Sequence, residues 1–172
     1  MIKDIVAEVM EALSGIKTLR YVAEDWGQLN YDQPPVQWPC ALIDVQGITH
    51  TNLGNGGLMG DCTFSVQLVN RPVQRTSAGA PKAQQAQNLL LFEVIDDVLD
   101  TLHAREGEGH SPFVLRETRK DNVIDLQSYT LTFVTSFKTE RSLAPVRLSG
   151  ANISFDKKKA ASRGGFQSAK QA

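Results

Sequence analysis

The stretch from Ala83 to Ala104 constrains the fold more than any other part of the chain, because its pattern predicts a long amphipathic helix. Pro81 precedes the stretch and marks the start of the helix, since proline cannot lie in a helix interior. Gly107 and Gly109 follow it and mark the end. Apolar residues recur at three- and four-residue steps along one face: Leu91, Val94, Ile95, Val98 and Leu102. Such a helix is stable only when this stripe is buried, so neighbouring segments must supply a layer for it to cover.

The segments on both sides of this helix carry strand patterns. Pro39 introduces a short apolar run from Cys40 to Val45, and apolar and polar residues alternate from Cys62 to Asn70. The longest predicted strand is Val123–Thr139, which has one apolar face and one hydroxyl-rich face. We therefore expect the layer that covers the helix to be a sheet.

The remaining N-terminal and C-terminal segments complete the predicted fold. Residues 2–13 form a second amphipathic helix, and residues 16–38 form an ordered polar and aromatic connection that includes a short strand at 18–23. Residues 113–119 form another short strand. The predicted fold class is α+β: a mostly antiparallel sheet packed against two amphipathic helices.

A glycine-rich stretch connects the first two predicted strands of the sheet. Five glycines and two asparagines occur from Gly47 to Asp61, which predicts a long flexible hairpin loop. The stretch lacks the Gly-Lys-Ser/Thr ending of a phosphate-binding loop. Exposed apolar side chains often mark contact surfaces, so its apolar residues are interface candidates: Leu53, Leu58 and Met59. The hydroxyl-rich face of the last strand supplies three more: Ser128, Thr130 and Thr132.

Length and patterning divide the chain of 172 residues into one α+β domain, 1–145, and a basic flexible C-terminal tail, 146–172. From residue 150 onward, five Lys or Arg residues face a single Asp. Three consecutive lysines in this tail are further interface candidates: Lys157, Lys158 and Lys159. The tail is interpreted as a solvated end, as a segment that docks on an acidic protein surface, or as a contact for nucleic acid phosphates.

Composition excludes several classes of protein. The net charge of -1 leaves no basic surplus for coating nucleic acid. No apolar run reaches the roughly 18 residues of a membrane span, and Asp4 and Glu8 interrupt the N-terminal pattern that a signal peptide needs. Cys40 and Cys62 are interpreted as two buried thiols, with a disulfide as the less favoured alternative.

The chain also lacks the residue patterns of enzyme sites. His50, His103 and His110 do not have the close spacing of zinc ligands. The carboxylates of Asp96, Asp97 and Asp100 are explained more simply by a solvated helix face than by a cation site. No Gly-x-Ser-x-Gly elbow or cysteine signature is present. We therefore expect no catalysis, no cofactor and no metal.

The order of predicted elements resembles that of the tail-terminator and tail-completion proteins of long-tailed bacteriophages, the minor tail protein U-like family that prophages also encode. The segments that carry the resemblance are Ile2–Leu13, Pro39–Val45, Phe64–Leu68, Ala83–Ala104 and Tyr129–Phe137. The resemblance covers about residues 1–140. It rests on topology, and the chain departs from the family by its long glycine-rich loop and its basic tail.

The resemblance implies a structural protein of a phage or prophage virion. Proteins of this family form a ring, commonly a hexamer, that caps the tail tube and joins it to the head–tail connector. The implied partners are other copies of the chain, the tail tube protein and the connector protein, with no membrane and no specific nucleic acid. The implied location is the tail or neck of the virion, after assembly in the cytoplasm of the bacterial host.

Two alternatives from other classes remain open. The first is a protein- or peptide-binding module of α+β fold that recognises its partner through an exposed sheet edge, without catalysis. The second is a small enzyme whose site is assembled only in three dimensions. A deep pocket lined by groups with shifted pKa values would favour the enzyme.

Overall fold

The computed structural model describes residues 1–54, 57–71, 79–123 and 125–140. Within these ranges the elements are α1 (Ile2–Ser14), β1 (Tyr21–Glu24), a short 3-10 helix (Gln28–Asn30), β2 (Cys40–Gly54), β3 (Gly57–Asn70), α2 (Lys82–Leu102), β4 (Val114–Asp121) and β5 (Gln127–Glu140). The strands described there form one five-stranded sheet in the order β1-β2-β3-β5-β4. β1 runs parallel to β2, and the other neighbouring pairs are antiparallel. The predicted α+β fold with a mostly antiparallel sheet is confirmed.

Both helices cover the same face of the sheet. The stripe that predicted α2 is buried there, and Val94, Val98 and Leu102 are 0% exposed. α1 buries its own stripe in the same core through Ile5, Val9 and Leu13. The carboxylates on the opposite side of α2 are exposed, as the helical period predicts. Neither α1 nor α2 has the length and hydropathy of a helix that crosses a membrane.

Aromatic rings fill the centre of this core. The ring of Phe64 stacks on that of Phe133, with 5.4 Å between centroids, and meets the ring of Phe113 edge-on at 5.1 Å. Phe64 and Phe133 are direct cross-strand partners of β3 and β5. The alternation that assigned Phe133 to the apolar face therefore also set the register of these two strands.

The glycine-rich stretch is organised differently from the predicted loop. β2 continues to Gly54 and β3 begins at Gly57, and the two strands stay paired throughout, with Thr49 opposite Asp61 and Asn52 opposite Leu58. The antiparallel hairpin is confirmed, but most of its predicted loop consists of paired strands. Irregular register at Val45/Gly47 and at Asn52/Gly54 accommodates the extra residues. The glycines favour a loop, but the β-branched residues between them favour strands, and the strand preference prevails in this hairpin.

Other predicted boundaries shift by a few residues. Helix 83–104 is observed as Lys82–Leu102, and strand 123–139 as Gln127–Glu140. Strand 113–119 extends to Asp121, and strand 18–23 is β1, Tyr21–Glu24. The basic tail, 146–172, lies outside the described residues.

Among the described residues, the opposite face of the sheet is covered at one end. Residues 25–39 lie over Cys40, Leu42 and Val69, which form a second, smaller apolar cluster with side chains of that connection, including Leu29 and Trp38. Cys40 is buried in this small cluster and Cys62 in the main core, and neither forms a disulfide. The prediction of two buried thiols is confirmed. Burial raises the pKa of Cys40 to about 12 and also raises that of Cys62, so both stay protonated.

Candidate interaction surfaces

Three strands continue beyond the part of the sheet that the helices cover. Every residue of β2 from Thr49 to Gly54 is exposed. β3 and β5 accompany β2 in this region, and Gly57 pairs with Glu140 at its end. We call this three-stranded extension, residues 49–54, 57–61 and 136–140, the arm. Because its strands are hydrogen-bonded to one another, the arm is an ordered part of the sheet rather than an unpaired loop.

The arm carries two of the interface candidates on exposed positions. Leu53 is 49% exposed and Met59 is 40% exposed. Leu58 is half-buried and points to the other face of the sheet, because neighbouring strand residues alternate between faces. Exposed apolar side chains at the end of an ordered projection suit contact with another protein.

A packed aromatic ring lies where the arm leaves the core. Phe137 of β5 lies directly over Gly60, and a Cβ atom at position 60 would stand 2.5 Å from Cζ of the ring. The ring of His50 meets Phe137 edge-on, with 6.4 Å between centroids. Only glycine leaves space for this contact, so Gly60 is a packing residue in the middle of a strand.

An ionic cluster ties the connection between α2 and β4 to α1. Glu8 of α1 accepts hydrogen bonds from Arg105 Nε at 3.1 Å and from His110 Nε2 at 2.9 Å. The other ring nitrogen of His110 lies 2.7 Å from the carbonyl oxygen of Ser111. Partial burial opposes ionisation of Glu8, but its bonds to His110 and Arg105 outweigh burial and lower its pKa.

The same connection also contacts the base of the arm. Thr135 Oγ1 donates to the carbonyl oxygen of Ser111 at 2.6 Å, and the backbone N–H of Ser136 donates to Ser111 Oγ at 2.8 Å. The His110 ring stacks on Phe113 with 4.6 Å between centroids. The cluster thus connects the first helix, the core and β5 through residues that are far apart in the sequence.

The hydroxyl-rich face of β5 is more internally bonded than the sequence indicated. Ser128 is 0% exposed, so its side chain is not available to a partner in this structure. Its hydroxyl donates to Asp121 Oδ2 at 3.1 Å and accepts from Gln67 at 3.0 Å. Thr130 donates to the same Asp121 oxygen at 2.6 Å and is half-buried, as is Thr132. Of the three candidates on this face, only Thr130 and Thr132 reach the surface.

The structure does not bring the two groups of interface candidates together. Met59 pairs with Lys138 in the arm, whereas Thr132 lies six residues earlier on β5. At about 3.3 Å per residue, that separation is roughly 20 Å along the strand. The third group, Lys157 to Lys159, lies outside the described residues.

In the part of the chain that the structure describes, the groups with shifted pKa values lie apart from one another. The N-terminal amine lowers the pKa of Asp4 on the surface, Glu8 belongs to the ionic cluster, and the two thiols lie on opposite faces of the sheet. A shallow cleft of about 360 Å³ between the end of α1 and α2 contains Asp97 and Asp100, both on the exposed side of the helix. No group of three metal-ligating side chains occurs in the described part of the chain.

A further exposed feature was missed by the sequence argument. Trp26 is 56% exposed and Tyr31 is 58% exposed, and their rings meet edge-on with 5.8 Å between centroids. Both lie in the connection between β1 and β2, where the absence of a hydrophobic period indicated only an ordered segment. The signal available was the presence of large aromatic residues in a segment too polar to be core.

Comparisons with known proteins leave the family of this chain open. No family model and no curated protein sequence matches it. Among solved structures, the chain is similar to one chain of the virion of a native gene transfer agent particle, with 13% sequence identity and a TM-score of 0.46. The match covers 78% of this chain and 92% of that chain.

Proposed function

We propose that this chain is a structural protein of a phage or prophage virion, and that its copies form a ring that caps the tail tube and joins it to the head–tail connector. The ring, the capping of the tail tube and the joining to the connector are what the family resemblance implies. The observed order of elements supports it, because every segment that carried the resemblance occupies the predicted helix or strand. In this proposal the ring is a hexamer, the common form in that family. It lies in the tail or neck of the virion and is assembled in the host cytoplasm. The chain has no catalytic role.

The arm is the feature of the molecule that most supports a ring. A head-to-tail ring requires two different, complementary surfaces on each subunit. The arm presents Leu53 and Met59 about 20 Å along the sheet from the polar surface formed by Thr130 and Thr132. These two surfaces differ in shape and polarity, so they suit contact with unlike neighbours better than contact across a twofold axis.

The peptide-binding alternative receives less support from the sheet edge. β4 forms one edge, and it carries Arg116, Glu117, Arg119 and Lys120 together with a register irregularity at Leu115/Glu117. Charged residues and bulges are typical of edges that avoid pairing with other strands. We therefore do not propose strand addition at β4 as the function.

Electron microscopy and native mass spectrometry of the purified chain test the ring directly. We expect closed rings of one stoichiometry, whose abundance rises with protein concentration. Isolated tail tubes added to the sample should carry rings at one end. A chain that stays monomeric at high concentration, with tail tubes present, contradicts the proposal.

A further inference from the structure

The exposed side of α2 carries an apolar patch. Leu89 is 55% exposed and Phe92 is 46% exposed, whereas the residues that bury α2 in the core lie on a different side of the helix. Residues three apart are neighbours on a helix surface, so these two side chains form one patch. The ring of Phe92 is held edge-on against Tyr129 of β5, with 5.6 Å between centroids. The patch is therefore presented at a fixed place near the middle of the helix.

The charges before and after this patch along α2 have opposite signs. Lys82 is exposed in the first turn, whereas Asp96 and Asp100 are exposed in the last two turns, and α2 has no basic residue after Lys82. This order is the reverse of the one that the helix dipole favours, since acidic residues stabilise the first turn and basic residues the last. The stability of α2 itself therefore does not account for the order of its charges.

We propose that α2 pairs with α2 of a second copy of this chain, with the two helices antiparallel and a twofold axis between Leu89 and Phe92. We call this contact the α2 pair. Each Leu89 then lies opposite Phe92 of the other copy, so the two patches bury one another. At a rise of about 1.5 Å per residue, Lys82 lies along the helix axis about 1.5 Å from Asp100 and about 4.5 Å from Asp96 of the other copy. The two helix dipoles also point in opposite directions.

The charges favour this orientation and this partner. In a parallel pair, the two copies of Asp96 and of Asp100 would stand side by side, and like charges repel. In the α2 pair the two copies of Asp100 lie about 28 Å apart along the axis, well beyond the roughly 8 Å at which salt screens exposed charges. A surface that presents a cation, an apolar patch and carboxylates in that order is complementary to itself, as a twofold contact requires. A second copy of the chain is therefore the partner that fits it.

The α2 pair is separate from the proposed ring, because neighbours in a head-to-tail ring contact one another through two different surfaces. The first test therefore uses the full chain with Leu53→Asp and Met59→Asp, the arm variant, in which ring formation is expected to be lost. We expect sedimentation to show dimers of this variant. Adding Leu89→Asp should raise the dimer dissociation constant on the order of a hundredfold, because two unpaired charges must be desolvated. Val114→Asp, a change of an exposed apolar residue on β4, should not.

A charge exchange in the arm variant tests the contact between the ends of the two helices. Lys82→Glu should weaken the dimer on the order of tenfold, because it places like charges opposite one another at both ends of the pair. Adding Asp96→Lys should restore the affinity, since opposite charges then face one another again. Lys3→Glu makes the same change of charge on an exposed residue of α1 and should leave the dissociation constant unchanged.

Disulfide cross-linking tests the α2 pair in the chain with its arm intact, and it covers the case in which the arm variant is misfolded. Chains with Ala86→Cys, labelled with ¹⁴N, are mixed with chains with Glu93→Cys, labelled with ¹⁵N, and oxidised. Cys40 and Cys62 are buried and do not compete. In the α2 pair, positions 86 and 93 lie about 3 Å apart along the axis, whereas two copies of position 86 lie about 14 Å apart. We expect mixed-isotope products to exceed the products between two copies of position 86 at least about tenfold.

Three outcomes overturn the inference. The arm variant stays monomeric at high concentration, as it does if a different protein covers the patch; Leu89→Asp and Val114→Asp affect the dimer equally; or products between two copies of position 86 predominate, as in a parallel pair. The ring and the α2 pair fail separately. Rings of the unchanged chain without the mixed-isotope products remove the inference and leave the ring, and dimers without rings do the reverse.

Discussion

At the scale of single residues, Gly107 shows how closely the ionic cluster is packed. A Cβ atom at this position would collide with His110 Nε2 and with a carboxylate oxygen of Glu8. We expect Gly107→Ala to separate these two groups and to lower the free energy of unfolding by about 1–3 kcal/mol, because a buried polar contact is lost. Urea denaturation measures the change. Gly79→Ala is the matched control, since a Cβ atom there meets nothing within 4 Å, and equal losses in the two variants would show that the cluster is not the cause.

Glu8 gives the cluster a defined dependence on pH. Its pKa in the folded chain lies below the ordinary value of 4.5, so its contribution to stability is present above pH 4.5 and is lost as the pH falls through the folded pKa. We expect Glu8→Gln to destabilise the chain by about 1 kcal/mol at neutral pH and to have a progressively smaller effect under acid conditions. Unfolding of both proteins from pH 7 to pH 3 tests this. A difference that stays constant over this range counts against an ionised Glu8 as its origin.

At the scale of elements, the arm depends on the contact between Phe137 and Gly60. Gly60→Ala places a methyl group too close to the ring atoms of Phe137, so the ring must leave its position. We expect a loss of about 1–3 kcal/mol and faster amide exchange in residues 57–61 and 136–140, with the core strands less affected. Hydrogen exchange followed by mass spectrometry measures both regions.

Gly47→Ala is the control for the arm, because it changes a glycine of the same hairpin where a Cβ atom meets nothing within 4 Å. If the contact between Phe137 and Gly60 does not order the arm, the amides of the arm will exchange at the same rates in Gly60→Ala and in Gly47→Ala. Selective loss of protection in the arm would instead show that this one aromatic contact maintains the extension.

At the scale of the whole molecule, we expect substitutions on the surface of the arm to change assembly while leaving the stability of the fold nearly unchanged. Leu53→Asp combined with Met59→Asp places charges on exposed side chains, so the free energy of unfolding should change by less than about 0.5 kcal/mol for each substitution. We expect ring formation to be lost, because a charge in a contact surface must be desolvated without a partner. Native mass spectrometry and thermal unfolding report the two properties.

Leu89→Asp is the matched control for the assembly variant, since Leu89 is 55% exposed but lies on α2, away from the arm. Rings should persist in this variant. Persistence of rings in the arm variant as well would exclude Leu53 and Met59 from the contact between subunits.

The sequence predicted the elements of the fold because their patterns are local. The three- and four-residue steps around Leu91 identify α2, and the two-residue alternation around Leu131 identifies the buried face of β5. The candidate surfaces were harder to predict. Ser128 shares the alternation of Thr130, yet Asp121 and Gln67 enclose it, and neither residue is its sequence neighbour.

The sequence by itself therefore determined the fold class, the faces of the helices and strands, and the burial of both cysteines, because periodicity and hydrophobicity act over a few residues. The tertiary structure alone decided that the glycine-rich stretch is a paired arm, that Glu8 contacts His110 across 102 residues, and that Trp26 and Tyr31 remain exposed. These features depend on which distant backbone or side chain occupies the adjacent space. A glycine is equally suited to a flexible loop and to a strand position beneath an aromatic ring, and only the position of Phe137 distinguishes the two.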